Sequence, residues 1–274
     1  MTALVLASAV VVLIQSLGYI PVFGLNDIST QYFEKILNNS AFLKSLSVSL
    51  YLSFVSAAIA AVLGVILAAA LVARRKQNSA ASYIIRLPIL VPHMVVAVFV
   101  ATIFSQTGLL ARLACAVGWI SDSTQFPQLL YTESFVGVIL AYLWKEIPFV
   151  AYFVLALMSS INETLGQAAE NLGASPLRSF FQITLPLTMP AICNAFFIIF
   201  IFAFGGYELP VILGPTLPKA LPILAYLEFS SPDLLNRPYA MAANAVILCI
   251  SCAMALLYFL SIHHLVKKLG GERI

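Results

Sequence analysis

From Ser45 to Val72 the chain runs without one charged residue, with Lys44 before it and Arg74-Arg75-Lys76 after it. No other feature restricts the fold as much. About 20 apolar residues are enough for a helix to cross the roughly 30 Å of hydrocarbon in a bilayer. A segment in lipid must also bond its own backbone N–H and C=O groups, as a helix does. Ser49, Ser53, Ser56, Ala57, Ala60 and Gly64 recur through this stretch at close to helical spacing, and small residues let helices approach closely in lipid. The basic run that closes it reads as a cytoplasmic stop.

Comparable apolar stretches cover about 4–20, 83–104, 134–160, 189–204 and 239–260. Charged residues make up 9% of the chain, against about 25% in soluble domains, so these stretches read as spans and not as cores. The expectation is an all-α polytopic membrane protein with six transmembrane helices, filling 1–274 as one domain and leaving no room for a second soluble one. The first stretch lacks the basic start of a secretory signal, since the first Lys or Arg is Lys35. The third contains Pro88 and Pro92, which predict a kink or local opening. Gln31 to Lys44 reads as an amphipathic surface segment with Phe33, Ile36 and Leu37 on one side. Gly108 to Thr132 reads as an outer loop, and Leu221 to Phe229 as a short surface or re-entrant helix. Eight of the fourteen basic residues (Arg74, Arg75, Lys76, Arg86, Arg178, Lys267, Lys268 and Arg273) fall on one side of this arrangement, five on the other, and Lys145 within a span. That asymmetry places both termini in the cytoplasm. The net charge of +3 is too small and too dispersed to argue for nucleic acid.

A polar island interrupts the pattern between the fourth and fifth spans, at about 161–186. Gln167 to Leu172 continues a helix that Gly173 can end, because glycine accepts the left-handed conformation. Ser175 can cap a second helix and Pro176 suits its first position. Leu185-Pro186 then predicts a change of direction. The residues on this hairpin resemble the cytoplasmic loop of binding-protein-dependent ABC importer permeases, written Glu-Ala-Ala, three residues, Gly, nine residues, Ile, one residue, Leu-Pro. Ala168, Ala169, Gly173, Ile183, Leu185 and Pro186 stand at those spacings, and Gln167 replaces the usual Glu.

The resemblance implies a permease subunit of the type I fold, in the bacterial cytoplasmic membrane. It implies ABC ATPase subunits, a second permease (homologue or copy) and an extracytoplasmic substrate-binding protein as partners, among membrane lipids. It also implies that Gln167, Ala168, Ala169, Glu170, Gly173, Ser175, Pro176, Ile183, Leu185 and Pro186 couple the chain to the ATPase. Leu213-Gly214-Pro215, Leu221-Pro222 and Asp233 to Ala240 look more like the polyamine, iron, thiamine and phosphonate group than the sugar permeases. No Gly-x-x-x-x-Gly-Lys-Ser/Thr stretch occurs, so ATP and Mg are expected on the partner and no cofactor in this chain, which is not itself an enzyme.

Charges inside spans cost about 2.5–3.5 kcal/mol near a helix centre on insertion scales. Lys145 and Glu146 therefore read either as the wall of a translocation path or as a structural intramembrane pair. Tyr207 and Glu208, after Gly205-Gly206, read either as a locally unwound path residue pair or as a solvated span end. His93, after Pro92, suits a bond to an opened carbonyl, and His263-His264 an inner interface. Cys115, Cys193, Cys249 and Cys252 read as buried thiols, with no disulfide and no metal site expected. An ATP-independent channel and, further off, an intramembrane enzyme are the alternatives. The first would purify without an ATPase; the second needs a nucleophile–base or metal constellation that three histidines do not supply.

Overall fold

The computed structural model describes residues 2–74 and 79–268, with the backbone alone described at 80, 81 and 263–268. Among the described residues the named elements are all helical. They are α1 (Thr2–Ser16), α2 (Gln31–Leu37), α3 (Ser40–Ala73), α4 (Ala80–Leu90), α5 (His93–Phe104), α6 (Leu109–Ala116), α7 (Val136–Ile161), α8 (Gln167–Asn171), α9 (Pro176–Ser179), α10 (Leu185–Phe204), α11 (Glu208–Leu213), α12 (Leu221–Phe229) and α13 (Arg237–Lys268). Among these residues, five segments are long and apolar enough to cross a membrane: Ser40–Ala73, His93–Ala116, Val136–Asn171, Pro176–Phe204 and Leu234–Ile262. The fifteen residues of α1 are apolar too, but they rise only about 22 Å. Arg75, Lys76 and Arg273 lie outside the described residues, as do the side chains of His263, His264, Lys267 and Lys268.

The third expected span, 83–104, is two helices. Pro88 is accommodated inside α4, whereas Val91 is extended, with φ −77° and ψ 131°, because the ring of Pro92 disfavours the helical region for the residue before it. Continuity resumes at His93, and the candidate span runs onward to Ala116. The expected outer loop 108–132 accordingly contains α6 and a 3-10 turn at Ser123–Gln125. The short helix expected at Leu221–Phe229 is α12.

Two compact units make up the chain. The first comprises Met1–Ser53, His93–Ile139 and Phe202–Ala253. In it α11 packs on α5, and the His93 ring lies 5.0 Å from that of Phe202. The backbone N–H of Leu221 donates to Ser49 Oγ at 2.7 Å, tying the start of α12 to α3. The buried face of α2 is Tyr32 and Ile36, not Phe33, Ile36 and Leu37. Residues four apart share a face of so short a helix, and Tyr32 meets the ring of Tyr239 at 5.1 Å. Lys35 Nζ donates to Tyr239 Oη at 2.9 Å, and that bond holds the ammonium above its ordinary pKa.

The second unit comprises Phe54–Pro92, Leu140–Ile201 and Met254–Ile274. Its core joins Ala68, Leu71 and Val72 of α3 to Ala151, Val154, Leu155 and Met158 of α7. The small-residue stripe of α3 explains how these helices come so close. Ser56, Ala57 and Ala60 are fully buried, and a Cβ on Gly64 would stand 2.5 Å from Val150 Cβ and 3.0 Å from the Ile147 carbonyl oxygen. Neither neighbour is the free end of a flexible side chain, so Gly64→Ala is expected to destabilise the fold by about 2 kcal/mol. A lowered melting temperature in detergent checks this; an unchanged one would show that α3 and α7 separate easily.

The cysteines depart from expectation. Cys115 and Cys193 are half-buried, and Cys249 and Cys252 on α13 are exposed. An exposed apolar helix is stable in lipid, which removes the need to bury a small soft side chain there.

Candidate functional site

The first hairpin helix is an extension of a span. Val136–Asn171 is 36 residues, or about 54 Å at 1.5 Å each, so it outruns the hydrocarbon by more than 20 Å. Its last turn closes with two bonds: Ala174 N–H to the Ala169 carbonyl at 3.0 Å, and Gly173 N–H to the Glu170 carbonyl at 3.0 Å. Gly173 has φ +93°. This is the Schellman arrangement, and it requires a residue tolerant of positive φ four positions after the residue whose carbonyl it caps. The spacing from Ala169 to Gly173 thus has a backbone cause. Ser175 is extended and accepts from Arg178 N–H at 3.3 Å, with Pro176 in the first helical position. Arg178 Nε turns to Gln182 Oε1 at 3.2 Å.

Two features of the hairpin were not expected. Asn162–Gly166 and Phe180–Thr184 are π turns, one in each arm. Ser179 Oγ, buried, donates to the Gly166 carbonyl at 3.2 Å and ties the arms together. The second π turn also corrects the reading of Pro186. The chain does not change direction there; α10 continues through Pro186 and Pro190 to Phe204. Because the π turn ends at Thr184, Pro186 falls in the first turn of a new α segment, where a missing N–H costs least.

At the tip Ala168, Glu170, Gly173, Ser175 and Pro176 are exposed, while Gln167, Ala169, Ile183, Leu185 and Pro186 are half-buried. Two leucines point away from the protein, Leu172 at 90% and Leu177 at 72% exposure. Beneath them lies a largely apolar cavity of about 840 Å³ between the end of α3 (Val65, Ala69, Ala73) and Gln167, Leu177 and Phe181 of the hairpin.

The four residues singled out for a translocation path divide between the units. Lys145 and Glu146 do not form a pair. Lys145 Nζ donates to the Val91 carbonyl, across 54 positions, and so places a cation at the C-terminal end of α4, where carbonyls lack helical partners. Lys145→Met is expected to cost about 1–3 kcal/mol, the loss of a charge-assisted hydrogen bond to a half-buried carbonyl. Thermal unfolding checks this, with Lys145→Arg recovering part of the loss. Glu146 is 6% exposed. It faces Ser56 of α3, yet neither carboxylate oxygen has a partner within hydrogen-bond geometry. In the other unit, the Tyr207 ring lies 5.2 Å from that of Tyr226. Glu208 is exposed in the first turn of α11, where a carboxylate complements the helix dipole.

Residues 60–268 match the family described as "Binding-protein-dependent transport system inner membrane component". The chain is 26% identical over 222 residues to the putrescine transport system permease protein PotI of Escherichia coli (strain K12), covering 80% of this chain and 72% of PotI. It is 27% identical over 233 residues to the probable sulfate transport system permease protein cysT of Nephroselmis olivacea, covering 83% and 77%. Among solved structures, a chain of the bacterial alginate ABC transporter in complex with alginate pentasaccharide-bound periplasmic protein superposes with a TM-score of 0.69. That match has 22% identity and covers 100% of this chain and 96% of the other. A chain of the MetNI methionine ABC transporter in an inward-facing conformation gives 0.60, with 16% identity over 81% and 95%.

Proposed function

Because the chain belongs to the family of binding-protein-dependent transport system inner membrane components, we propose that it is the membrane subunit through which an ATPase drives uptake, and that the hairpin at 161–186 is its coupling element. The observation that carries this reading is the capped tip: a long helix leaves the hydrocarbon, is closed by Gly173 and Ser175, and presents Leu172 and Leu177 outward. Two exposed leucines on a rigid turn suit an apolar groove on a partner. Gln167 keeps the length and hydrogen-bonding capacity of the usual Glu without its charge, so the docking proposed here does not depend on an ion pair at that position.

In this reading α1 is a sixth membrane-embedded helix, both termini and the hairpin are cytoplasmic, and a second permease, two ATPase copies carrying ATP and Mg, and an extracytoplasmic binding protein complete the importer. ATP closing the ATPase dimer moves the hairpin and opens the path outward; hydrolysis reverses it. The π turns support the transmission step, since wide turns of this kind interrupt an α-helix where it can re-form. Glu146 stands on the path wall and Lys145 positions the end of α4 beside it. The substrate is a polyamine or a related small charged solute, a reading supported by the aromatic pair Tyr207 and Tyr226 adjoining Glu208.

The test is gentle purification of the chain with whatever accompanies it, mass identification of the partners, and assay for vanadate-sensitive ATP hydrolysis. An ATPase and a binding protein in the preparation are expected, and the ligand of the latter names the substrate. A chain that purifies alone overturns the reading.

A further inference from the structure

Arg86, in the second unit, carries chemistry that none of the above uses. It sits on α4, whose cap is Ser79, so it lies about 10 Å along the helix from that end. Its guanidinium lies over two rings, 4.3 Å from the centroid of Tyr152 and 5.1 Å from that of Tyr83. Tyr152 is itself locked: its hydroxyl meets Ser82 Oγ and the Ser82 carbonyl oxygen, each at 2.6 Å. The cation is therefore held in place by groups that do not neutralise it, and its Nε is buried without a hydrogen-bond partner.

A cavity of about 780 Å³ opens beside it, lined by Arg86, Leu90 and Tyr152, by Ser160 at the end of α7, and by Glu163 and Thr164 of the π turn that follows. The carboxylate of Glu163 accepts from Ser159 Oγ at 3.0 Å. The lining thus offers hydroxyls and a planar guanidinium, together with the Glu163 carboxylate, which Ser159 engages. The neighbouring surface of α4 is apolar and exposed, at Ile84, Leu87 and Leu90, the last at 79%.

We propose that this cavity binds the headgroup of one anionic phospholipid of the leaflet next to the hairpin, with the phosphate on Arg86, hydroxyls of the glycerol part against Ser160 and Thr164, and the acyl chains along Ile84, Leu87 and Leu90. A planar guanidinium fits a phosphate bidentately, and basic pockets between membrane helices on the cytoplasmic side take anionic headgroups. The apolar rim selects a lipid over free phosphate, because a soluble anion would make no use of it. The assignment of leaflet rests on the cytoplasmic placement of the hairpin proposed above; the assignment of the site does not.

The intact complex, in nanodiscs of phosphatidylcholine containing one-fifth phosphatidylglycerol, is released into the gas phase and its bound lipid counted by mass. One phosphatidylglycerol per copy of this chain is expected. Arg86→Gln should reduce occupancy at least tenfold, Arg86→Lys less, and Arg112→Gln, a control for loss of charge, not at all. If Arg86→Gln does not assemble, Leu90→Trp, which narrows the mouth and keeps the charge, should lose the lipid in its place. Unchanged occupancy in Arg86→Gln, or in Leu90→Trp where that variant stands in, overturns the proposal. So does displacement of the lipid by 10 mM inorganic phosphate, or a cross-link from Leu90→Cys to another subunit, which would show the site to be a soluble-anion pocket or a subunit contact. Nanodiscs carry the lipid in both leaflets, so a negative result leaves the orientation of the hairpin untouched.

Discussion

Complexes carrying Leu172→Asp and Leu177→Asp together are expected to reach the membrane in normal amounts and to take up substrate at least tenfold more slowly than the unaltered protein. Leu172 projects from the tip and Leu177 lies at the rim of the cavity, still 72% exposed, so their replacement leaves the Schellman cap and the Ser175 cap intact. What it removes is apolar area available to a partner. Burial of a leucine contributes about 1.5–3 kcal/mol, and 1.4 kcal/mol is a factor of ten in an equilibrium. An aspartate forced into the same groove adds the cost of desolvating a charge. The measurement is ATP-dependent uptake into proteoliposomes, normalised to the amount of assembled complex. Uptake that stays within twofold would sink the docking role of the hairpin tip, whatever else the hairpin does.

Glu146→Leu is expected to move stability and uptake in opposite directions. A carboxyl group that is 6% exposed and has no hydrogen-bond partner on either oxygen destabilises the fold by about 1–3 kcal/mol relative to a satisfied or apolar side chain. Leucine removes that penalty, and the melting temperature of the purified complex should rise. Groups retained in membrane helices at such cost are characteristically functional, so uptake should fall at least tenfold. Glu146→Gln, which preserves shape, should also transport poorly while gaining less stability. A variant that is both less stable and slower would show that Glu146 is an ordinary structural residue. One that is more stable and fully active would remove it from the path.

How far the sequence alone reaches depends on how local the cause is. The turn of the hairpin was legible residue by residue. Gly173 ends a helix, Ser175 and Pro176 begin another, and each rule concerns a backbone conformation settled within about five positions. The second to sixth spans were legible in outline, since a long, predominantly apolar run has one stable state in lipid. Pro92 was legible as a weak point, though not as the place where one expected span becomes two helices. The π turns were not legible, because an extra residue in a helical turn leaves no compositional trace in Asn162–Gly166 or Phe180–Thr184.

Lys145 shows where sequence reasoning stops. Its neighbour Glu146 suggested a pair, yet the acceptor it finds is a carbonyl 54 positions away, and the carboxylate is turned toward Ser56 of another helix. The platform under Arg86 likewise depends on a bond between Ser82 and Tyr152, 70 positions apart. By itself the sequence determined an all-helical membrane chain, the hairpin and its caps, because hydrophobic run length and short-range backbone sterics act within a few turns. Only the tertiary structure decided which charges are satisfied, which are left over and where cavities form. Those outcomes depend on which helix face meets which, and hydrophobicity in a chain this apolar is too uniform to say.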